Sequence, residues 1–157
     1  MKKSDRERKR EIGWREWVSL PALGLPALKA KIDTGARTSA LHTFELDLIK
    51  SDGVQKVRFG IHPLRREGDL AIYCEAAIID QRMVTDSGGH REMRYVIETP
   101  VKLGDVEWPI EITLTSRESM RFRMLIGRTA LRNNFIVNPG RSFLYGRVLR
   151  HAYRKRK

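Results

Sequence analysis

Lys31-Ile32-Asp33-Thr34-Gly35-Ala36 sets one carboxylate directly after an apolar strand end and directly before a glycine. An aspartate does acid–base work only in a fixed rotamer, so the turn that carries it must be tight. Gly35 lacks a Cβ, which lets the backbone approach closely and accept a strained turn. Thr34 adds a short hydroxyl able to tie the loop down by hydrogen bonding. Two carboxylates about 3 Å apart share one proton, because both cannot ionise at that distance. One then polarises a carbonyl while the other takes a proton from an attacking water. Asp-Thr-Gly occurs once in the chain, so a second copy on a two-fold axis would supply the other carboxylate. An internal rival is Asp86, in Thr85-Asp86-Ser87-Gly88-Gly89. It follows Thr85 rather than an apolar strand end, and Ser-Gly-Gly-His reads as a flexible turn. Residues 84–90 are expected to form a glycine-rich hairpin tip, either a plain exposed turn or a flap that closes over substrate and excludes water.

A second segment belongs with the first. Met124-Leu125-Ile126-Gly127-Arg128, then Thr129-Ala130-Leu131 and Phe135-Ile136-Val137, reads as strand, Gly-Arg turn, short helix and strand, with the helix over Thr129 to Asn133. The chain here resembles the retropepsin-like aspartic peptidases, in which an apolar pair plus Gly-Arg follows the catalytic loop in sequence and packs beneath it. Gly13-Trp14-Arg15-Glu16-Trp17-Val18, Ala30 through Leu41 and Arg123 through Arg128 narrow the resemblance to a small bacterial family. That family is labelled an ATP-dependent zinc protease and is associated by name with the enzyme that adds glutamates to a ribosomal protein. The resemblance covers roughly residues 12–146. It implies an acid-protease closed barrel with Asp33, Thr34 and Gly35 as the catalytic loop. Asp33 would come from each of two subunits, with Thr34 locking the two loops together. Ala36, Arg37, Ser87, Gly88 and Gly89 would contact substrate, and Ile126, Gly127 and Arg128 would support the loop from below. One departure stands out. Retroviral enzymes follow this loop with acidic residues that hold substrate backbone and pair with the Gly-Arg arginine, whereas here the positions are Arg37 and Thr38. An acid elsewhere is therefore expected to pair with Arg128.

Two function classes follow. The first is a homodimeric aspartic endopeptidase acting on a peptide or protein. The second is a non-catalytic protein of the same fold that binds an extended peptide by strand addition and acts with a ribosomal-protein-modifying system. A zinc peptidase, as the family label suggests, comes third: His-Glu-x-x-His is absent, and the spacings of His42, His62, His90, His151 and Cys74 match no zinc pattern. No phosphate-binding Gly-x-x-x-x-Gly-Lys-Ser/Thr occurs either, so no cofactor is expected and any nucleotide dependence would belong to another protein. Gly-x-Ser-x-Gly is also missing, and Cys74 lacks an activating signature.

The elements that must position these residues read mostly as strands. Trp17 to Leu20 and Ala27 to Ile32 flank a Pro/Gly turn, and Thr43 to Ile49 alternates with Phe44, Leu46 and Leu48 on one face. Val54 to Ile61, Ala76 to Asp80, and Arg91 to Thr99 follow. Val101 to Trp108 is a hairpin around Gly104-Asp105, and Ser142 to Tyr145 is a last strand. Many short strands point to an all-β fold, closed or sandwiched, with one short helix after the Gly-Arg turn. Trp14, Trp17 and Trp108 read as core or interface anchors.

A length of 157 residues suits one domain with a real core. The net charge of +12 lies in the ends: +4 in residues 1–10, +6 in residues 147–157, and only +2 across the domain, residues 11–146. Such tails are solvated ends, or arms that dock on RNA, a ribosomal protein or an acidic partner. Tyr145, His151 and Tyr153 interleave with the second tail's cations, which keeps stacking on RNA open. The lone Cys74 excludes an internal disulfide. The run Val18 to Leu28 is broken by Pro21, Gly24 and Pro26, too short for a span and a poor signal peptide. A cytoplasmic protein without membrane contact is expected.

Overall fold

A computed structural model of the chain describes residues 9–64, 70–86, 88–116 and 121–153. Besides 3-10 turns at Pro21–Leu23 and Val148–His151, the described residues form twelve strands and one short α-helix. They are β1 (Arg10–Gly13), β2 (Arg15–Leu20), β3 (Leu25–Asp33), β4 (Ser39–His42), β5 (Glu45–Ser51), β6 (Val54–Ile61), β7 (Ile72–Ala77), β8 (Asp80–Thr85), β9 (Arg91–Leu103), β10 (Val106–Thr115), β11 (Met124–Gly127), α1 (Arg128–Leu131) and β12 (Phe135–Asn138). Period-two alternation decides which side each strand buries. In β2, Glu16, Val18 and Leu20 turn inward while Arg15, Trp17 and Ser19 face out. The expected Pro/Gly turn joins β2 to β3: Pro21 opens a 3-10 turn, and Gly24 closes it at φ +71 with its N–H on the Pro21 carbonyl.

The principal sheet runs β10–β4–β11–β3–β2–β9–β8, with β9 also paired to β10. The expected closed barrel does not form. Along the β2–β9 seam only Ser19 and Lys102 pair, and β2 shifts register between Val18 and Leu20, so the sheet wraps around its core without continuous closure. Two further sheets stand apart from it, β1–β12 and the meander β5–β6–β7. Leu20, Leu25, Leu28, Ile97, Leu103 and Ile112 lie at the centre of the core, each fully buried.

Four local expectations change. Ser142 to Tyr145 forms no strand, because the Leu144 and Tyr145 amides bond to the Glu16 carboxylate instead of to a sheet. The face of Phe44, Leu46 and Leu48 is only partly buried: Leu46 packs against the core and Leu48 does not. β5 sits at an edge of the meander and leaves Leu48 48% exposed, and it is β6 that sends Val57, Phe59 and Ile61 inward. Ala76 to Asp80 is the end of β7 and the start of β8, with Ile79 half exposed. The helix begins one residue before its expected start, at Arg128. No helix among the described residues is long and apolar enough to cross a membrane.

Candidate functional site

Asp33 is the last residue of β3, half buried, where the strand gives way to a turn closed by the Ala36 amide on the Asp33 carbonyl at 3.2 Å. The carboxylate folds back on this turn, and its Oδ1 accepts the Gly35 N–H at 3.1 Å. That bond fixes the rotamer and ties the loop, the task expected of Thr34. Among the described residues the exposed Thr34 hydroxyl makes no hydrogen bond. Gly35 is not in the left-handed region. A Cβ there would lie 3.3 Å from Asp33 Oδ1, so glycine here keeps room for the carboxylate rather than allowing an unusual φ.

The loop is held from outside by a threaded strand. β3 and β4 are consecutive in sequence, yet they do not pair with each other. β11 lies between them, parallel to β3 with Gly127 opposite Asp33 and antiparallel to β4 with Leu125 opposite Ala40. As β11 turns into α1, the Arg128 amide donates to the Ala36 carbonyl at 2.9 Å. The Thr129 amide and hydroxyl both donate to the Arg37 carbonyl, at 3.1 and 2.8 Å. The buried Ser39 hydroxyl accepts the Gly127 N–H at 3.1 Å. Gly127 is required by space: a Cβ would sit 2.7 Å from the Thr38 carbonyl carbon and 3.0 Å from the Ala36 oxygen. Behind α1, the Trp108 indole N–H donates to the Ala130 carbonyl at 3.1 Å.

On the other flank the Trp14 carbonyl accepts the Ile32 N–H at 2.8 Å. Trp14 is set in turn by Glu16, whose fully buried carboxylate accepts the amides of Gly13, Leu144 and Tyr145 at 2.8, 3.1 and 3.2 Å. Neither Ser39, Thr129 nor Glu16 was anticipated. Thr129 had a usable signal, a hydroxyl directly after Gly-Arg, whereas nothing in sequence marks Ser39 or the inward turn of Glu16.

Asp33, Thr34, Gly35, Ala36, Arg37, Ile126, Gly127 and Arg128 thus come together. Gly88 and Gly89 lie at the tip of the β8–β9 hairpin, and Ser87 lies outside the described residues. Gly89 takes φ +84. Asp86 Oδ1 accepts the Gly88 and His90 amides, both at 2.9 Å, so this carboxylate organises its own turn. The acid expected to pair with Arg128 is absent among the described residues. Its Nη1 reaches the Thr34 carbonyl at 3.5 Å instead. The loop and the threaded segment therefore carry one acid, Asp33, against two cations, Arg37 and Arg128.

The described residues do not fit the zinc half of the label. Among the described residues no three of His, Cys, Asp and Glu gather closely enough to hold a metal ion. His42 is buried within β4, and His62 stacks on Phe44 at 3.9 Å.

A family model described as "Retropepsin-like aspartic endopeptidase RimB" matches residues 11–147. The chain belongs to the RimB-like family. Among its curated relatives, a protein named "Probable alpha-L-glutamate ligase" from Desulfotalea psychrophila is 41% identical over 147 residues, covering 94% of this chain and 32% of the relative. A protein of the same name from Shewanella halifaxensis is 44% identical over 135 residues, covering 86% and 30%. The chain spans about a third of the length of these relatives. A Legionella pneumophila protein of unknown function, solved by crystallography, superposes with a TM-score of 0.74 at 27% identity, covering 88% of this chain and 99% of that one. The resemblance to retropepsin-like peptidases, and to a family linked with glutamate addition, is therefore correct for this RimB-like chain.

Proposed function

We propose that this chain is half of a retropepsin-like aspartic endopeptidase, completed when a second copy brings its own Asp33 across a two-fold axis. One observation carries the reading: the Asp33 carboxylate, at a strand end, is fixed by the Gly35 amide in a loop clamped by Gly127, Arg128 and Thr129. Fixing a carboxylate rotamer is what acid–base chemistry demands. In the pair, the ionised carboxylate takes a proton from water as the water oxygen bonds to the scissile carbonyl carbon. The protonated carboxyl hydrogen-bonds the carbonyl oxygen. When the tetrahedral intermediate collapses, the C–N bond breaks and the amine leaves with a proton from the dyad. Arg37 and Arg128 beside a single acid favour an acidic peptide, and the glutamate-ligase name of the relatives agrees with that class. The β8–β9 tip, with Ser87, Gly88 and Gly89, is the candidate flap over the bound chain.

A second reading is favoured by two observations. Each chain contributes one carboxylate to the loop, and the curated relatives that contain a similar segment carry ligase names. On that reading the domain binds an extended peptide without cleaving it, beside a ribosomal-protein-modifying activity.

The test is cleavage of a diverse peptide mixture that includes glutamate-rich sequences, read by mass spectrometry from acidic to neutral pH. Wild type and Asp33→Asn are compared with and without chelator, and mass is measured in solution. Cleavage by a dimer, lost in Asp33→Asn and indifferent to chelator, is expected. Peptide binding without cleavage in a confirmed dimer would establish the second reading, and chelator-sensitive cleavage that persists in Asp33→Asn would overturn both.

A further inference from the structure

We propose that the outward face of β2 and β3, with the Phe143 loop beside it, is a docking surface for single-stranded RNA, a role independent of any cleavage at Asp33. The face is built by alternation. Arg15 and Trp17 point out from β2, Lys29 and Lys31 from β3, and the register sets Arg15 opposite Lys31 and Trp17 opposite Lys29. Like charges directly across a strand pair are unfavourable, and an anion shared between them relieves the repulsion.

Aromatic rings interleave with these cations. The Arg15 guanidinium carbon lies 4.6 Å from the Trp14 ring centre and 4.8 Å from that of Phe143. The Arg147 guanidinium carbon lies 4.8 Å from the Phe143 ring centre, and Lys29 Nζ lies 5.7 Å from that of Trp17. Arg15 is oriented further by its Nε, which donates to the Ser142 hydroxyl at 3.2 Å. The result is a ladder of Trp14, Arg15, Phe143 and Arg147 that ends on an exposed guanidinium.

Glu16, between Arg15 and Trp17 in sequence, is turned inward and fully buried. Among the described residues no salt bridge reaches Arg15, Lys31 or Arg147. The concentration is local, since residues 11–146 carry a net charge of only +2. The expected stacking tyrosines of the second tail are occupied elsewhere. Tyr145 packs against Gly104, and the Tyr153 hydroxyl accepts the Ala27 N–H at 3.1 Å and donates to the Ala27 carbonyl.

Charge alone would suit any polyanion. The ladder selects among them: a planar guanidinium braced on a ring offers a stacking face to a base and N–H donors to a phosphate, whereas an acidic peptide uses only the charge. Lys29, Lys31 and Asp33 alternate along one side of β3, about 7 Å apart at each step, so RNA on this face lies next to the Asp33 loop.

The experiment is fluorescence anisotropy of the full chain with a fluorescein-labelled single-stranded RNA, from 50 to 200 mM salt, with both basic tails present throughout. Wild type is compared with the double variant Lys29→Gln/Lys31→Gln and with Phe143→Leu, each checked by thermal melting. Losing two phosphate contacts is expected to weaken binding roughly tenfold at 50 mM and to reduce the log–log salt slope by about 1.4. Phe143→Leu is expected to weaken binding with the slope unchanged. Unchanged affinity and slope in the lysine variant would assign the binding to the tails and overturn the proposal. So would absence of binding at 50 mM salt, or displacement of the RNA by a glutamate-rich peptide of equal charge at equal concentration.

Discussion

Replacing Gly127 by alanine separates a loop that is merely near the threaded strand from one that is clamped by it. The backbone of Gly127 has φ −85, which any residue adopts, so the substitution carries no conformational penalty of its own. Its whole effect is collision. The new Cβ would lie 2.7 and 2.8 Å from the carbonyl carbon and oxygen of Thr38 and 3.0 Å from the Ala36 oxygen. All three are backbone atoms, so no rotamer change relieves the clash, and the 36–38 segment must retreat. Overpacking of this kind costs about 1–3 kcal/mol. Retreat also weakens the bonds from the Arg128 amide to Ala36 and from Thr129 to Arg37, each worth about 0.5–1.5 kcal/mol net. The expected loss is about 2–5 kcal/mol, or roughly 5–15 °C in melting temperature for a chain of this size. Urea unfolding and scanning calorimetry measure it, and hydrogen exchange at the Arg128 and Thr129 amides locates it. Gly35→Ala is the contrast. Its Cβ would meet only Asp33 Oδ1, at 3.3 Å, and that side-chain atom can swing away. Less than about 1 kcal/mol should be lost there. If Gly127→Ala melts within about 1 °C of wild type with the Arg128 amide still protected, the clamp does not exist.

Glu16→Ala removes the acceptor from three backbone amides and should cost about 3 kcal/mol or more by urea unfolding, while Glu16→Gln, which keeps one oxygen, should cost less. Tyr153→Phe removes the hydroxyl that caps Ala27; a loss of about 1 kcal/mol and faster exchange of the Ala27 amide are expected. Burial raises the Cys74 thiol from an ordinary 9.0 to about 11, so iodoacetamide at pH 8 should label it only through unfolding. The folded state then holds a proton that the unfolded chain releases above pH 9, so stability should fall by roughly 2–3 kcal/mol between pH 9 and 11. Cys74→Ala should flatten that alkaline slope.

What the sequence reveals depends on how far apart the interacting residues lie. The Asp33 turn, the Pro21 to Gly24 turn and the Gly104-Asp105 hairpin are local, and their composition announces them. The pairing of the 33–37 loop with residues 126–129 spans more than ninety positions, and motif resemblance rather than periodicity brings the two together. β4 is missed because Ser39-Ala40-Leu41-His42 is buried at all four positions, so it has no alternation to detect. β1 is missed because it is only four residues long, with Ile12 and Gly13 alone buried, and β8 because none of its residues is buried. The closed barrel is over-read for a related reason: strand count and turn spacing say nothing about whether a seam such as β2–β9 pairs along its length or at one residue. Glu16 sits with Arg15 between Trp14 and Trp17 in sequence, and only the 142–145 loop, packed from the far end of the chain, explains why a carboxylate is acceptable inside.

The construction of the loop also bears on which functional reading it serves. A protein that binds peptides by strand addition needs an unpaired strand edge and pockets for alternate side chains. It does not need a carboxylate whose rotamer is fixed by its own turn, nor a loop backbone fastened at Ala36, at Arg37 and through Ser39. The first feature is local, from Gly35 to Asp33, but the fastenings at Ala36, Arg37 and Ser39 come from residues 127–129, so the clamped loop exists only once the sheet has assembled. An edge suited to strand addition is available separately, at β8, the last strand of the principal sheet, where Met83 and its cross-strand neighbour Met93 are about half exposed. The β8 edge and the Asp33 loop lie on different strands of the sheet, β8 and β3. Abolishing one by Asp33→Asn and the other by a proline in β8 should therefore dissect them: cleavage should vanish in the first variant with peptide affinity retained, and affinity should fall in the second. Loss of affinity in Asp33→Asn would instead mean that the carboxylate itself contacts the bound chain.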